Sequence, residues 1–277
     1  MSAAALFYRI DRRAEGDRPG HHRSRHGGAG IEFRRHAGLL DAPDPRRYDA
    51  HASLRDPFAR PRFRVYAQTS AVTVWVLADL SASMIAPGCK RDTLAELTAE
   101  LAEAAWRTGD HFGFVGGDDR VRPEWWLAPT RQRGAGTTLA QRLRAHPFSG
   151  AADGLLPAAG LLGRRRSLVF LVSDFHLPTV LVARLLAALA PHQLVPVVLQ
   201  DPAEYRELPR YGWVRLRDPE SGRLRGLFLR PALNAAIRAG YAHHRRRLED
   251  LFRRHGRRPL WLDQGYSATA VTRYFHG

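Results

Sequence analysis

The sequence is poor in cysteine and in lysine. Cys89 is the only cysteine among 277 residues, which excludes a disulfide within the chain and a metal site built from several thiolates. Lys90 is the only lysine among 43 basic residues, so arginine carries almost all of the positive charge. No apolar run approaches the ~20 residues of a membrane helix, and the first residues lack the apolar core of a signal peptide. We therefore expect a soluble, cytoplasmic protein.

The positive charge is unevenly spread along the chain. The formal net charge is +16, but residues 71–163 contain nine basic and ten acidic residues. The excess lies in arginine-rich flanks such as "GRRR" and "HHRRRLEDLFRRHGRR". Such flanks are typical of surfaces for nucleic acid or other anions, but also of solvated helix faces and of docking surfaces for acidic proteins. Composition leaves these possibilities open.

The sequence divides into four segments that differ in composition and in hydrophobic pattern. Residues 1–30 are polar and expected to be partly disordered, and residues 31–70 suggest a small, irregular region that contains strands. Residues 71–200 alternate apolar strand patterns with amphipathic helix patterns, which predicts an α/β domain with a mostly parallel sheet flanked by helices. Residues 201–277 predict a hairpin, a long basic helix and a closing strand packed on that domain. The two flanks are expected to supply a smaller strand-containing region.

Two strands carry the strongest apolar patterns, "VTVWVLAD" (72–79) and "SLVFLVSD" (167–174), and each ends in an aspartate. Continuous apolar runs of this kind are typical of strands buried on both faces of a sheet. Ligands of parallel sheets bind beyond the carboxyl ends of the strands. We therefore expect Asp79 and Asp174 to lie at the same edge of the sheet.

The residues "DLSASM" after the first of these strands suggest a metal site. Asp79, Ser81 and Ser83 are two apart, so their side chains point to the same side of an extended or tightly turned segment. Carboxylate and hydroxyl oxygens suit a hard cation such as Mg²⁺. Asp174 and a threonine of "GAGTTL", Thr137 or Thr138, could supply further ligands.

Other interpretations of the same residues involve no metal. Asp and Ser are favoured helix N-caps, so the motif could simply begin the next helix. A nucleophilic serine would need the G-x-S-x-G elbow and a paired histidine, and neither serine has flanking glycines. Asp79 could accept a phosphoryl group, but the usual second aspartate two residues on is Ser81. No G-x-x-x-x-G-K-[ST] motif is present, so the chain is not expected to hydrolyse ATP itself.

The order of these motifs resembles the metal-ion-dependent adhesion site of von Willebrand factor A domains. In that family a D-x-S-x-S motif, a threonine loop and a later strand-end aspartate bind Mg²⁺ or Mn²⁺, and a carboxylate of a protein partner often completes the shell. The matching positions here are Asp79, Ser81, Ser83, Thr137 and Asp174. The resemblance implies a metal-dependent protein-interaction domain and no enzymatic activity.

Further segments narrow the resemblance to one bacterial group. Across residues 28–230, "GGAGIEF", "RTGDHFGFV", "GAGTTLAQRL", "LVFLVSDF" and "DPAEYRELPRYGWVRLRDPESG" are similar to the domain-of-unknown-function family numbered 58. Its members carry an A-like domain and commonly accompany MoxR-type AAA+ ATPases. The resemblance implies an adaptor that works with such an ATPase, or on an acidic client protein, in remodelling or maturation. Nucleic-acid binding through the flanks is the alternative.

Two features depart from the family pattern. Many members have two membrane helices ahead of this region, which are absent from this sequence. The family also shows an Ile-Asp-Trp motif where this sequence reads "RYDAHAS"; Asp49 is the possible counterpart of its aspartate, and the tryptophan is missing.

Overall fold

A computed structural model describes residues 6–10, 19–41, 44–85, 88–205, 209–217 and 224–276. The chain divides into a large unit, residues 1–9, 73–107 and 111–277, and a small unit, residues 10–72 and 108–110. The expected "DPESG" turn and residues 1–5 and 11–18 of the predicted disordered N-terminal segment lie outside the described residues.

The small unit is an antiparallel pair of strands with one short helix. Its elements are β1 (Pro19–Ala37), α1 (Ala50–Leu54) and β2 (Phe63–Ser70). Strand β1 therefore begins within the segment predicted as a polar N-terminus. Asp49 caps α1 through the Ala52 amide (3.0 Å) and accepts a hydrogen bond from Nε of Arg64 (2.7 Å). Hydrogen bonding from Arg64 holds the pKa of Asp49 well below its usual range, so this aspartate serves the small unit's own structure.

The large unit is built on a six-stranded sheet. The strands of this sheet are, in chain order, β3 (Thr73–Asp79), β4 (His111–Gly117), β5 (Val121–Thr130), β6 (Leu168–Ser173), β7 (Gln193–Leu199) and β10 (Leu260–Leu262). Strands β8 (Gly212–Arg217) and β9 (Leu224–Leu229) form a separate antiparallel hairpin. The sheet order is β10-β7-β6-β3-β4-β5, and β5 alone in this sheet is antiparallel to its neighbour. The mostly parallel α/β fold predicted from the strand–helix alternation is confirmed.

Helices cover both faces of this sheet. They are α2 (Lys90–Arg107), α3 (Ala135–Ala145), α4 (Leu155–Gly160), α5 (Thr179–Ala188), α6 (Pro231–Arg254) and α7 (Ala268–His276). Leu77 and Leu171 of the central strands pack on one face with α4, α5 and α6, whereas Phe170 on the other face meets Phe275 of α7 at 6.1 Å. Because β3 and β6 are enclosed on both faces, their sequences are continuously apolar.

Helix α2 follows its predicted amphipathic pattern. Leu94, Leu97, Leu101 and Ala105 recur at helical spacing and are buried. The helix ends two residues before Gly109, whose φ of 67° is the left-handed conformation that glycine adopts without a steric penalty. Within the described residues, no helix has the length and apolar character needed to cross a membrane.

Candidate metal centre

Every parallel strand of the sheet is followed closely by an aspartate. These residues are Asp79, Asp118, Asp174, Asp201 and Asp263, each the last residue of its strand or within two residues of the end. Parallel strands place all five at the same edge of the sheet. Strands β3 and β6 are hydrogen-bonded neighbours, so Asp79 and Asp174 are adjacent, as the sequence predicted.

Asp79 is completely buried and accepts hydrogen bonds from neutral groups. Its Oδ1 accepts the backbone N–H of Ser81 at 2.9 Å, and its Oδ2 accepts the hydroxyl of Ser173 at 2.6 Å. The Ser173 hydroxyl oxygen in turn accepts the N–H of Phe175 at 2.9 Å. The carboxylate is therefore fixed in orientation, but these partners bring it no positive charge.

The two serines of the motif converge, as their spacing predicted. Ser81 and Ser83 hold their hydroxyl oxygens 3.1 Å apart. A 3₁₀ turn over Ala82–Ile85 produces this geometry, with the N–H of Met84 donating to the carbonyl of Ser81 at 3.1 Å. Helix α2 begins only at Lys90, so the motif does not cap that helix. The helix-cap interpretation is therefore not supported for α2, and the motif begins the short 3₁₀ turn instead.

Asp174 differs from Asp79 because a cation contacts it directly. Its Oδ2 accepts a hydrogen bond from Nζ of Lys90 at 3.0 Å, and its Oδ1 accepts the N–H of His176 at 3.1 Å. The same Nζ lies 2.5 Å from Oε1 of Glu204 and 3.4 Å from the carbonyl oxygen of Ser83. Lys90 is only 2% exposed, so the ion pair is shielded from water.

The pKa values of Asp79 and Asp174 are therefore shifted in opposite directions. Burial, together with repulsion from Asp174, raises the pKa of Asp79 to about 6. Burial, the largest single influence, acts to raise the pKa of Asp174, but the charges of Lys90 and His176 and the hydrogen bonds from both residues together outweigh it, and the pKa of Asp174 falls below its usual value. For Lys90, burial favours the neutral amine, yet Asp174 and Glu204 raise its pKa above the ordinary value.

Aromatic side chains of α6 line one side of this cluster. The ring of His176 stacks on that of His244, with centroids 5.0 Å apart, and Tyr241 stacks on Tyr205 at 4.7 Å. The Tyr241 hydroxyl donates to Oε2 of Glu204 at 3.3 Å. Glu204, which binds Lys90, is thereby held in place by the long basic helix.

Thr137 is not brought to this cluster. It lies in the first turn of α3 with an exposed side chain. A Cβ on the preceding residue, Gly136, would clash with Ala102 of α2, and Ala102 is ~18 Å along that helix from Lys90 at 1.5 Å per residue. Thr137 therefore follows a residue that packs against the far part of α2, and its predicted role as a ligand has no support from its position.

A different loop lies beside the serines. The N–H of Ala82 donates to the carbonyl of Gly150 at 3.0 Å, and the N–H of Gly154 donates to the carbonyl of Asp118 at 2.8 Å. This loop, residues 150–154, reads "GAADG" and contains no threonine. The Gly-Thr pattern predicts the threonine-containing segment, whereas the positions of α3 and α4 decide which loop reaches the strand ends.

Sequence reasoning also missed Lys90 and Glu204. The available signal was compositional, because the only lysine of an arginine-rich chain stands shortly after the D-x-S-x-S motif. Glu204 carried no such signal, since it depends on a turn, Pro202–Glu204, that follows a different strand.

The geometry favours neither a nucleophilic serine nor a multi-histidine metal site. Among the hydrogen bonds of the described residues, neither Ser81 nor Ser83 has a histidine partner, which a serine nucleophile needs for activation. The described part of the chain also contains no metal-type cluster of three or more His, Cys, Asp or Glu side chains. The candidate centre is thus a pair of carboxylates with two hydroxyls and one lysine.

Several known proteins are similar to this chain. It is 35% identical over 99 residues to an uncharacterized protein encoded in the moxR 3′ region of Paracoccus denitrificans, a match that covers 36% of this chain and 94% of that protein. It is 28% identical over 210 residues to an uncharacterized protein of Mycobacterium bovis, which covers 73% of this chain and 65% of that protein. The chain therefore spans slightly less than two thirds of the mycobacterial relative's length.

Solved structures give a looser match. The conserved hypothetical protein BatB from Bacteroides thetaiotaomicron aligns with a TM-score of 0.45 and 15% identity, over 74% of this chain and 96% of that one. An aerotolerance-related membrane protein from Bacteroides fragilis aligns with a TM-score of 0.44 and 13% identity, over 74% and 97% of the two chains.

The family assignment rests on a sequence match over most of the chain. Residues 46–250 match the family described as "Protein of unknown function DUF58". This is the family that the motifs around the D-x-S-x-S strand resembled. The chain belongs to the DUF58 family.

Proposed function

We propose that this protein is a non-enzymatic adaptor that binds Mg²⁺ or Mn²⁺ at the ends of β3 and β6 and works with a MoxR-type AAA+ ATPase. Asp79, Ser81, Ser83 and Asp174 would hold the ion. By the family resemblance, an acidic side chain of the partner or of a client protein would complete its shell.

The charge balance of the buried cluster is the observation that carries this proposal. Three carboxylates, those of Asp79, Asp174 and Glu204, are linked by direct contacts or adjacency to a single ammonium group, that of Lys90. When all of these groups are ionised, Glu204 balances the charge of Lys90, and the two ligand carboxylates, Asp79 and Asp174, carry an excess of two negative charges. Buried charges are normally paired or bound to metal, and one divalent cation would neutralise this excess.

The donor chemistry agrees with the same conclusion. Carboxylate and hydroxyl oxygens are ligands that Mg²⁺ and Mn²⁺ prefer, and Mg²⁺ usually keeps some water in its shell. The paired Ser81 and Ser83 hydroxyls lie beside a carboxylate whose own partners are neutral. A small set of protein ligands leaves room for a carboxylate from outside, which is what an adaptor requires.

The proposed partner is supported by genomic context. A relative that is 35% identical over 99 residues is encoded in the moxR 3′ region of its genome. We carry this association to the present chain as part of the proposal. Because the chain contains no P-loop motif, the ATPase would supply the chemical energy and this protein would supply recognition.

Calorimetric titration of Mg²⁺ and Mn²⁺ tests the metal site directly. We expect binding by the wild type and none by Asp79→Asn, which keeps the shape of the side chain but removes its charge. Asp263→Asn is the matched control, because Asp263 also follows a strand of this sheet but is two strands away from β6. Binding that survives Asp79→Asn, or no binding by the folded wild type, would contradict the proposed site.

The partnership is tested by adding a MoxR-type ATPase from the same genome. We expect association with the wild type in Mg²⁺ or Mn²⁺, loss of association in EDTA, and loss with Asp79→Asn. Association that is equally strong in EDTA would show that the partner does not use the metal centre.

The basic surface of α6 favours a second candidate function. This helix carries exposed arginines that include Arg238, Arg246 and Arg254, which suits nucleic acid or another anionic surface. Such binding would weaken steeply with added salt and would be insensitive to EDTA and to Asp79→Asn. The salt and EDTA arms of the same association experiment therefore separate the two functions.

A further inference from the structure

We propose that Lys90 is an internal cation that competes with the divalent ion for Asp174 and thereby links occupancy of the centre to Glu204. This inference rests on the proposed metal-binding function and concerns how that site is controlled. It predicts that the ion and the Lys90 ammonium exclude one another at Asp174, so that metal binding releases Lys90.

Helix stability does not explain the position of Lys90. It is the first residue of α2, where the partial positive charge of the helix end makes a cation unfavourable. It is also 2% exposed, although a lysine is almost never fully buried unless it is paired. The carboxylates around Lys90 therefore account for its position.

The choice of lysine over arginine fits the oxygen atoms around it. An ammonium group has three donors and no acceptor, and here it has three acceptors, namely Oδ2 of Asp174, Oε1 of Glu204 and the carbonyl of Ser83. The planar fork of a guanidinium suits one bidentate carboxylate rather than separate oxygens around a point. In a chain whose other basic residues are all arginine, this position has the one compact cation.

The contacts of Lys90 explain how the exclusion would arise. Its ammonium binds Oδ2 of Asp174, while Oδ1 accepts a backbone N–H, so an ion that binds Oδ2 would share one oxygen atom with the Lys90 ammonium. Two cations on one buried carboxylate also repel each other strongly. A displaced Lys90 would release Glu204 of the Pro202–Glu204 turn, whose side chain also contacts Tyr241 of α6.

Variants at Lys90 test the competition. We expect Lys90→Met to bind Mn²⁺ about tenfold or more tightly than the wild type, since a repelling unit charge a few ångströms from the ion is removed. We also expect a lower melting temperature in EDTA and a larger rise in that temperature on adding Mn²⁺. Arg245→Met is the matched control, because Arg245 pairs with the strand-end residue Asp263, which lies two strands away from β6; it should leave Mn²⁺ affinity unchanged.

The single lysine also permits a test without substitution. Selective ¹⁵N-lysine labelling gives one side-chain NMR signal, and an amine-reactive reagent can modify only Lys90 and the chain's terminal amine. We expect Mn²⁺ or Mg²⁺ to increase the rate of Lys90 modification several-fold, measured by peptide mass spectrometry. Protection of Lys90 by the metal, or an unchanged rate while metal binds, would overturn the competition.

The outcomes separate this inference from the function on which it rests. If the wild type and Lys90→Met bind Mn²⁺ equally well, the metal site stands and the competition is wrong. Weaker binding by folded Lys90→Met would show that Lys90 supports the ion rather than opposing it. If neither protein binds Mn²⁺, the proposed metal function itself fails. Tighter binding by Lys90→Met, or binding by this variant alone, supports the competition.

Discussion

The ends of strands β3 and β4 carry aspartates that are equally buried and yet differ in chemistry. Asp118, after β4, is 1% exposed, and both of its carboxylate oxygens accept hydrogen bonds from Nε of Arg122, at 2.9 and 2.8 Å. Asp79, at the end of β3, is 0% exposed and is held by a hydroxyl and a backbone N–H. The pKa of Asp118 is lowered, although burial opposes this, and the pKa of Asp79 is raised.

This difference shows that burial alone does not identify a ligand. When both oxygens of a buried carboxylate bind an arginine, its charge is balanced and the pair stabilises the fold. A buried carboxylate held only by neutral donors keeps an unbalanced charge, and that charge is what attracts a cation. On this basis the end of β4 is structural, whereas the end of β3 is a candidate binding position.

The largest expected effect on stability comes from breaking the Arg122–Asp118 ion pair with Arg122→Met. This change leaves Asp118 charged, buried and without its cation, which typically costs 3–5 kcal/mol. Because Arg122 is 24% exposed, we expect the lower end, about 3 kcal/mol, or roughly 6–12 °C in melting temperature for a domain of this size. Thermal unfolding followed by circular dichroism measures it. If Arg122→Met also abolished the response to Mn²⁺, the two strand ends would not be independent.

The pH dependence of the metal-free protein gives a second, smaller effect. The folded pKa of Asp79 is about 6, above the value near 3.9 of an unfolded aspartate, so the folded state retains a proton that the unfolded state has lost. The stability contribution of Asp79 is then present at low pH and is lost as the pH rises through about 6.

Between pH 7.5 and pH 5 we expect protonation of Asp79 to contribute about 1 kcal/mol of stability in EDTA. Burial lowers the pKa values of His146, His192 and His244, and these histidines contribute a loss over the same range. The contribution of Asp79 is therefore the difference between the wild type and Asp79→Asn.

Denaturant unfolding at the two pH values checks this prediction. The contribution of Asp79 should disappear in Asp79→Asn, whose amide does not titrate, and should persist in Asp263→Asn. A lowered carboxyl pKa, such as that of Asp118, contributes in the opposite direction and only at more acidic pH, because its stability is lost as pH falls. An equal change in stability with pH in the wild type and in Asp79→Asn would show that Asp79 does not titrate in this range.

The sequence predicted the sheet and both central aspartates for a clear physical reason. Strands β3 and β6 are buried on both faces, so their apolar runs are continuous, and a charged residue at the end of each run marks the edge of the sheet. The two serines also followed from local geometry, because residues two apart in a tight turn share a side. The sequence pattern was sufficient for features that depend only on residues close together in the chain, such as the two strands and the paired serines.

The remaining parts of the site depend on contacts between distant segments. Lys90 reaches Asp174 across 84 positions of sequence, and no local pattern reports such a contact. Helix α4 has only six residues and contains Pro157, so its sequence carries no helical pattern that would place the preceding loop beside Ala82. Thr137 was chosen for its local Gly-Thr motif, but the packing of α3 on α2 determined its position.

The smallest expected effect concerns the aspartate that follows β10, the outermost parallel strand of the sheet. Asp263, after β10, pairs with Nη1 of Arg245 at 2.9 Å, and the two side chains are 27% and 34% exposed. Solvent screens such a pair, so Asp263→Asn should cost less than about 1 kcal/mol. Arg245 also lies over the ring of Trp261 at 4.1 Å, a contact that survives the change. Thermal unfolding of Asp263→Asn and of Arg122→Met, measured side by side, tests whether the stability cost of losing a strand-end ion pair falls as the pair becomes more exposed. A loss as large as that of Arg122→Met would show that it does not.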